Sequence, residues 1–217
     1  MARPTPASSA GTSPVTASKL LSVARSQLGI TESPAGSNRV KYNEEYYGRP
    51  VSGRQYPWCV VFQWWCFRAA GASRLFYGGG QTASCTALYS YHKKRSQDVT
   101  DYRPGDLVFF NFSGGTATEH VGLCESYDGV YITTIDGNTG TGNEANGGAV
   151  MRRRRHKRYI VGAYRPAYQK ETAMTTEEAK SIIKEKAGLS DTTIEYLWSY
   201  RWGDELLVKL AKAMEGK

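Results

Sequence analysis

Residues 56–66 read YPWCVVFQWWC and place three tryptophans, one phenylalanine and two cysteines within eleven positions. The segment predicts a helix from about Trp58 to Ala70, because Pro57 suits the first turn of a helix and Gly71 suits its end. The large apolar side chains indicate that this helix lies in the core of a domain.

The two cysteines of this segment have different predicted surroundings. Cys59 lies where the helix begins, where the helix dipole lowers the pKa of a thiol and a free backbone N–H can hold an oxyanion. Cys66 lies almost two turns later among apolar neighbours and is predicted to be an inert core thiol. Cys124 falls in an apolar strand, and Cys85 falls in a loop with no evident activator. Cys59 is therefore the candidate nucleophile.

The cysteine spacing also bears on disulfides and metals. On one helix Cys59 and Cys66 are separated by roughly 10 Å along the axis, which is too far for a disulfide. The sequence has no CxxC pair and no Cys/His cluster with zinc spacing. We expect free thiols, as in a protein made in a reducing compartment, and we expect neither a metal nor another cofactor.

Three histidines are candidates for the base that a cysteine nucleophile needs. His156 lies in the cationic run RRRRHK, which disfavours a useful base. His92 precedes two lysines at a predicted helix end and is expected at the surface. His120 begins the predicted strand HVGLC after a polar loop, so the strand can anchor it at the edge of a site. A structural histidine is the alternative if His120 is considered alone.

An acidic residue offers His120 a partner. Asp136 ends a predicted strand over 130–136, and an antiparallel neighbour would bring its carboxylate beside His120, where it orients the imidazole. Asn138 follows two residues later and can assist. The alternative is a simple turn, because Asp-Gly-Asn is strong turn chemistry.

The remaining pattern predicts an α+β domain with helices first and antiparallel strands after them. Residues 1–15 are predicted to be a disordered leader, and residues 31–56 an ordered loop. Further elements are expected at the following places: a helix from Thr16, a short helix over 86–94, strands over 107–110 and 120–124, and one or two more strands between 150 and 164. The domain then spans residues 16–168.

Residues 169–175 are predicted to be a linker, and residues 176–217 a small module of three helices. Thr175 and Glu178 form a capping box for the first helix, which Gly188 closes. Ser190 and Asp204 are the predicted caps of the second and third helices. The module is rich in aromatic residues, which suit either carbohydrate stacking or a protein interface, such as one between copies of the chain.

The chain carries a net charge of +8 over 217 residues, which indicates a polyanionic partner or surface. Nucleic acid, anionic lipid and the phosphate-rich polymers of a bacterial wall all qualify at this point. The RRRRHK run at 152–157 resembles a nucleic-acid patch, but it lies between two predicted strands and is predicted to be a solvated hairpin loop. The N-terminus lacks an apolar segment of signal-peptide length, and no run approaches a membrane span. We therefore expect synthesis in the cytoplasm and no membrane insertion.

Four ordered motifs, PWCVVFQWWC, PGDLVFF, EHVGL and IDGN, resemble the CHAP domain (cysteine, histidine-dependent amidohydrolase/peptidase) over residues 16–168. The resemblance implies a papain-like fold that cleaves amide bonds in peptidoglycan. It makes Cys59 the nucleophile, His120 the base and Asp136 the third residue, where the family often has Glu. Asn138 matches the asparagine that follows the third residue.

The related NlpC/P60 family shares the Cys, GDLVFF and HVG order but commonly has histidine as the third group. No histidine occurs near Asp136, so the CHAP domain is the better match. Some CHAP enzymes bind calcium through aspartates before the cysteine. This chain has Glu44 and Glu45 there, which are weak evidence for calcium, so no metal is expected.

The resemblance implies an endolysin-like peptidoglycan hydrolase, made without a signal peptide and acting on the wall after release. Gln55 is a candidate second oxyanion donor, with a plain surface glutamine as the alternative. Tyr56 and Trp58 are candidates for the substrate groove but could equally belong to the core. Peptidoglycan is the expected partner, rather than nucleic acid. The alternative is a non-catalytic basic binding protein on a papain-like scaffold, which would recognise wall polymers or nucleic acid.

Overall fold

A five-stranded antiparallel sheet organises the larger part of the computed structural model, which describes residues 15–170 and 174–215. The order across the sheet is β4-β3-β2-β1-β5. The strands are β1 (Leu107–Phe110), β2 (His120–Tyr127), β3 (Tyr131–Thr139), β4 (Ala149–His156) and β5 (Ile160–Tyr164). The α+β prediction is confirmed.

The helices that precede the sheet follow the predicted pattern with two exceptions, since neither the second nor the fourth helix was predicted. They are α1 (Ala17–Arg25), α2 (Lys41–Tyr47), α3 (Cys59–Ala69), α4 (Ser73–Tyr77) and α5 (Cys85–Lys93). The prediction of a loop over 31–56 was wrong, because α2 lies within it. This helix lacks a side-chain N-cap, and its fully buried Tyr42 stacks on the ring of Trp58 and packs edge-on against Phe62. Tertiary packing therefore forms α2 where local sequence signals are weak.

The sheet is covered on both faces. Helix α3 buries most of its side chains, and α1 packs against it. One face of the sheet joins this helical core through alternating residues such as Val121 and Leu123. Val108, Phe110 and Cys124 lie in a second cluster with partly buried aromatic residues such as Phe112. The period-two alternation thus places His120 and Asp136 on the opposite face from Val121 and Ile135.

A glycine in β3 allows α3 to approach the sheet closely. A Cβ atom at Gly137 would lie 2.7 Å from Phe62 Cγ and 2.9 Å from Trp58 Cζ3. Both distances are shorter than carbon atoms tolerate, so a side chain would push α3 away from β3. The glycine of the IDGN motif therefore serves helix–sheet contact rather than a turn.

The arginine run lies in a strand, so the predicted solvated hairpin loop was wrong. Strand β4 pairs with β3 along Arg152–His156, and its side chains alternate. Arg152 and Arg154 are exposed and pair with Glu125 and Asp128. The other two arginines of the run point towards buried or half-buried carboxylates. Because all four are ion-paired, the run is not a free cationic patch.

Three helices follow at the C-terminal end and confirm the predicted caps Thr175 and Ser190. The cap predicted at Asp204 was wrong, because Asp204 lies in the first turn of the third helix and Trp202 precedes that helix without a side-chain cap. The helices are α6 (Thr176–Ala187), α7 (Asp191–Trp198) and α8 (Gly203–Met214). Thr175 and Glu178 form the capping box, and Gly188 adopts a left-handed φ of 64°. The helices have a small core of their own, which includes Ile183, Ile194 and Leu207.

Some predictions about the ends fall outside the described residues. This holds for residues 1–14 of the predicted leader and for residues 171–173 of the predicted linker. None of the helices within the two described ranges combines the length and apolar character needed to cross a membrane.

We expect Gly137→Ala to lower the free energy of unfolding by about 1–3 kcal/mol, because the new methyl group overpacks the contact with α3. Urea unfolding monitored by tryptophan fluorescence measures the change. Gly115→Ala is the matched control, since its Cβ would meet only Asn111 at 3.7 Å. Equal stability of both variants would contradict this account of the helix–sheet contact.

Candidate active site

Three predicted residues meet where a helix and two strands converge. Cys59 is the first residue of α3, His120 is the first residue of β2, and Asp136 lies near the end of β3. His120 Nε2 lies 2.9 Å from Asp136 Oδ2, and both side chains are fully buried. The structure thus brings His120 and Asp136 together through the antiparallel pairing of β2 and β3.

The same pairing explains why the motif around His120 contains a glycine. A Cβ at Gly122 would collide with Asp136 Oδ1 and lie 2.8 Å from Thr134 Cβ. The absent side chain leaves room on β2 for the short aspartate to reach the imidazole. The turn alternative for Asp-Gly-Asn was wrong, because residues 136–138 lie inside β3.

The imidazole is held in one orientation by this contact. With Nε2 facing Asp136, Nδ1 is the ring nitrogen left for Cys59. Burial alone would lower the pKa of His120, but hydrogen bonding to Asp136 and interaction with Cys59 outweigh it and raise the pKa to about 9. His120 is therefore an imidazolium at neutral pH.

The pKa of the Cys59 thiol is shifted in the opposite direction, below its ordinary value. A hydrogen bond from Cys85 lowers the pKa of the Cys59 thiol, burial opposes this, and the His120 side chain and the Val60 N–H lower it further. The net result is a pKa well below the ordinary thiol value. Cys59 and His120 thus form a thiolate–imidazolium pair, which is the reactive form of a cysteine nucleophile.

Arg155 is a member of the site that sequence reasoning missed. Its Nη1 donates to Asp136 Oδ2 at 2.6 Å, and the guanidinium is almost fully buried. Burial would raise the pKa of Asp136, but the charge of Arg155 and the His120 hydrogen bond lower it overall. Asp136 therefore stays ionised while it receives hydrogen bonds from both sides.

Arg155 is itself fixed from several directions. Its Nε donates to Glu144 Oε2 at 2.8 Å, and Nη2 donates to Thr139 Oγ1 at 3.3 Å. The guanidinium carbon lies 4.9 Å from the ring centre of Phe110. The sequence held one signal for this position. If the RRRR run forms a strand, its side chains alternate between two faces, and this alternation separates Arg155 from the exposed arginines.

Asn138, which was predicted to assist His120, hydrogen-bonds Asn146 through its side-chain amide, whose Nδ2 donates to Asn146 Oδ1 at 2.9 Å. Its backbone has a φ of 57°. The register of β3 with β4 shifts between Asp136 and Thr139, so Asn138 lies in a bulge. Asparagine tolerates this left-handed conformation better than most residues. The orienting role therefore falls to Asp136.

The predicted substrate residues lie in different surroundings. Trp58 is fully buried and stacks on Tyr42 at 5.6 Å, so its assignment to a substrate groove was wrong. Tyr56 is half-buried and packs edge-on against Tyr47 at 4.9 Å. Gln55 is exposed, with its side chain over Gly53. Tyr56 and Gln55 therefore remain candidates for substrate contact.

Two residues that the sequence analysis left out of the site, His92 and Cys85, lie in surroundings that differ from the predicted ones. His92, expected at the surface, is buried and stacks on Tyr164 at 3.4 Å, with Nε2 2.5 Å from the Phe76 carbonyl. Cys85, expected in a loop without an activator, begins α5 with its Sγ 3.9 Å from Cys59 Sγ. The four cysteines are free.

Within residues 15–170 and 174–215 no group of three or more His, Cys, Asp or Glu side chains has the arrangement needed to hold a metal ion. Glu45, one of the two glutamates before the cysteine, instead accepts hydrogen bonds from Trp65 and Arg68.

Comparison with known proteins confirms the resemblance. Residues 51–138, which contain Cys59, His120 and Asp136, match the model of the CHAP domain. Crystal structures of Ly7917 are similar to the chain at 18% sequence identity: one covers 70% of this chain with a TM-score of 0.40, and one with the hydrolyzing product of MDP covers 74% with a TM-score of 0.42. The match spans 62% and 67% of those chains. No curated protein matches the sequence.

We expect Arg155→Met to lower the free energy of unfolding by about 3–5 kcal/mol, because the buried carboxylate loses its cationic partner. Arg154→Met, on the same strand but with an exposed ion pair, is expected to change it by less than about 1 kcal/mol. Chemical unfolding of the three proteins at neutral pH measures both. Similar stability of the two variants would show that Arg155 is dispensable for Asp136.

Proposed function

We propose that the protein is a cysteine-dependent peptidoglycan hydrolase that cleaves an amide bond of the bacterial cell wall. The observation that carries this proposal is the buried Cys59–His120–Asp136 arrangement inside the segment that matches the CHAP domain. A protein that only bound wall polymers would have no use for a thiolate–imidazolium pair.

The first step is acylation of the thiol. The Cys59 thiolate attacks the carbonyl carbon of the scissile amide, and the carbonyl oxygen becomes an oxyanion. The N–H of Cys59 has no partner within α3, because α3 begins there, so it can donate to the oxyanion. His120 gives its Nδ1 proton to the leaving amine, which departs as the thioester forms.

The second step is hydrolysis of the thioester. Neutral His120 accepts a proton from water through Nδ1 while the water oxygen attacks the thioester carbon. Collapse of the tetrahedral adduct expels the Cys59 thiolate, releases the carboxylic acid product and restores the thiolate–imidazolium pair, since His120 already holds the proton taken from water. Asp136 holds the His120 ring in place and stabilises its positive charge in both steps.

The residues before α3 are the proposed start of the substrate groove. Gln55 is proposed as a second oxyanion donor, since its exposed side chain lies four positions before Cys59. Tyr56, half-buried beside Tyr47, is proposed to contact the glycan or stem peptide. The net charge of +8 suits an anionic wall with teichoic acids.

An endolysin-like role fits the proposed chemistry, with synthesis in the host cytoplasm and action on the wall after release. Helices α6–α8 are proposed to add wall binding, with self-association as the alternative. Four aromatic side chains of this region are exposed, which suits either use: Tyr196, Trp198, Tyr200 and Trp202.

Purified peptidoglycan and mass spectrometry of the released fragments test the proposal directly. We expect the wild type to release amide-cleavage products and Cys59→Ala to lower their rate by at least about a thousandfold. Cys66→Ala is the control for a thiol deeper in the same helix. Fragment masses distinguish an amidase from an endopeptidase.

Two results of this experiment would contradict the proposal. Cleavage by both the wild type and Cys59→Ala would remove Cys59 from the chemistry. Binding without cleavage by the wild type, on walls of several chemotypes, would favour the non-catalytic binding protein instead.

The pH profile of cleavage follows from the ion pair. The pKa of His120 is raised, so the imidazole is fully protonated at low pH and loses its charge as pH rises through about 9. We expect activity to fall on the basic side with a midpoint of about 9.

Asp136→Asn removes the carboxylate that raises this pKa, so the midpoint moves to lower pH and the maximal rate falls by about a hundredfold or more. Asp128→Asn, at the surface, leaves the profile unchanged; an unchanged profile in Asp136→Asn would contradict the assignment.

A further inference from the structure

A second thiol lies in contact with the proposed nucleophile. Cys59 Sγ and Cys85 Sγ are 3.9 Å apart, and the two residues are 6% and 8% exposed. Each is the first residue of a helix, Cys59 of α3 and Cys85 of α5. The mechanism described above uses only one of these two sulfur atoms.

The position of Cys85 is fixed by its own helix. Ser84 caps α5 by accepting a hydrogen bond from the Ala87 N–H, and Leu88, one turn on, is fully buried in the core. The Cys85 backbone therefore cannot move away from Cys59 without moving α5. A sulfur–sulfur distance of this length is a hydrogen bond if one partner carries the proton and the other is a thiolate.

The surroundings decide which sulfur keeps the proton. Cys59 faces His120 from β2 and the Val60 N–H of its own helix, and both favour its thiolate. The hydrogen bond to Cys59 and burial both raise the pKa of Cys85 well above the ordinary thiol value. Cys85 is thus the S–H donor and Cys59 the acceptor at neutral pH.

We propose that Cys85 is a positioning residue, whose S–H donates a hydrogen bond to the Cys59 thiolate and holds that sulfur beside His120 Nδ1. The hydrogen bond stabilises the thiolate inside the protein, where few water molecules can do so. This inference rests on the proposed function only in taking Cys59 as the reactive thiol. Its test measures ionisation and needs no hydrolysis.

The ultraviolet absorbance of thiolates provides that test. The pKa of Cys66 is raised well above the ordinary value and that of Cys124 to about 12, so below neutral pH the thiolate signal of the full-length protein belongs to Cys59. Cys85→Ala removes the donor. We expect the midpoint of this signal to move upward by about one pH unit, a tenfold loss of thiolate on the acid side.

Two further variants separate a hydrogen bond from simple packing. Cys85→Ser keeps an O–H donor, so its midpoint should lie between those of the wild type and Cys85→Ala. Cys124→Ala removes a buried thiol elsewhere and should leave the midpoint in place. In kinetics, Cys85→Ala should shift the acid limb of the pH profile to higher pH while the rate above it is largely kept.

The outcome is decisive in either direction. An unchanged midpoint in Cys85→Ala, or an equal shift in Cys85→Ala and Cys85→Ser, would overturn the proposal and reduce Cys85 to a packing residue. A shifted midpoint in a protein that cuts no peptidoglycan would uphold the hydrogen bond while the proposed function fails.

Discussion

One buried carboxylate holds the site together. Asp136 accepts hydrogen bonds from His120 on one side and Arg155 on the other, with all three side chains almost free of solvent. A carboxylate in such surroundings would normally take up a proton, and a lone guanidinium would be still more costly to bury. Their pairing makes both charges tolerable and leaves the imidazole with an ionised partner.

Backbone packing makes this arrangement possible. Gly122 leaves space for the Asp136 carboxylate on β2, and Gly137 lets α3 approach β3 closely enough to bring Cys59 to His120. A bulge at Asn138 interrupts the regular pairing of β3 with β4. The glycines in HVG and IDGN therefore serve close contact across the sheet, and the ionic chemistry depends on the space they leave.

The sequence predicted the features that depend on local sequence patterns and on the pairing of neighbouring strands. The start of α3, the bounds of β1 and the meeting of His120 with Asp136 follow from caps, periodicity and antiparallel pairing. Arg155 and Cys85 were missed because their roles arise from contacts with residues 19 and 26 positions away in the chain. Likewise α2 depends on tertiary packing of Tyr42.

Strand β4 lies at the edge of the sheet and supplies the guanidinium that neutralises Asp136. The start of β4 is also held on its outer side, where Val150 exchanges hydrogen bonds with Gly29 and Ile30. Arg155 lies further along, where β4 pairs with β3, and the ends of edge strands open more readily than central strands. Transient detachment of β4 would withdraw Arg155 and expose the carboxylate to water without disturbing Cys59 or His120 directly. The pairing of the Asp136 carboxylate is thus linked to local opening at a border strand, so that a ligand or surface that clamps β4 would favour the paired state.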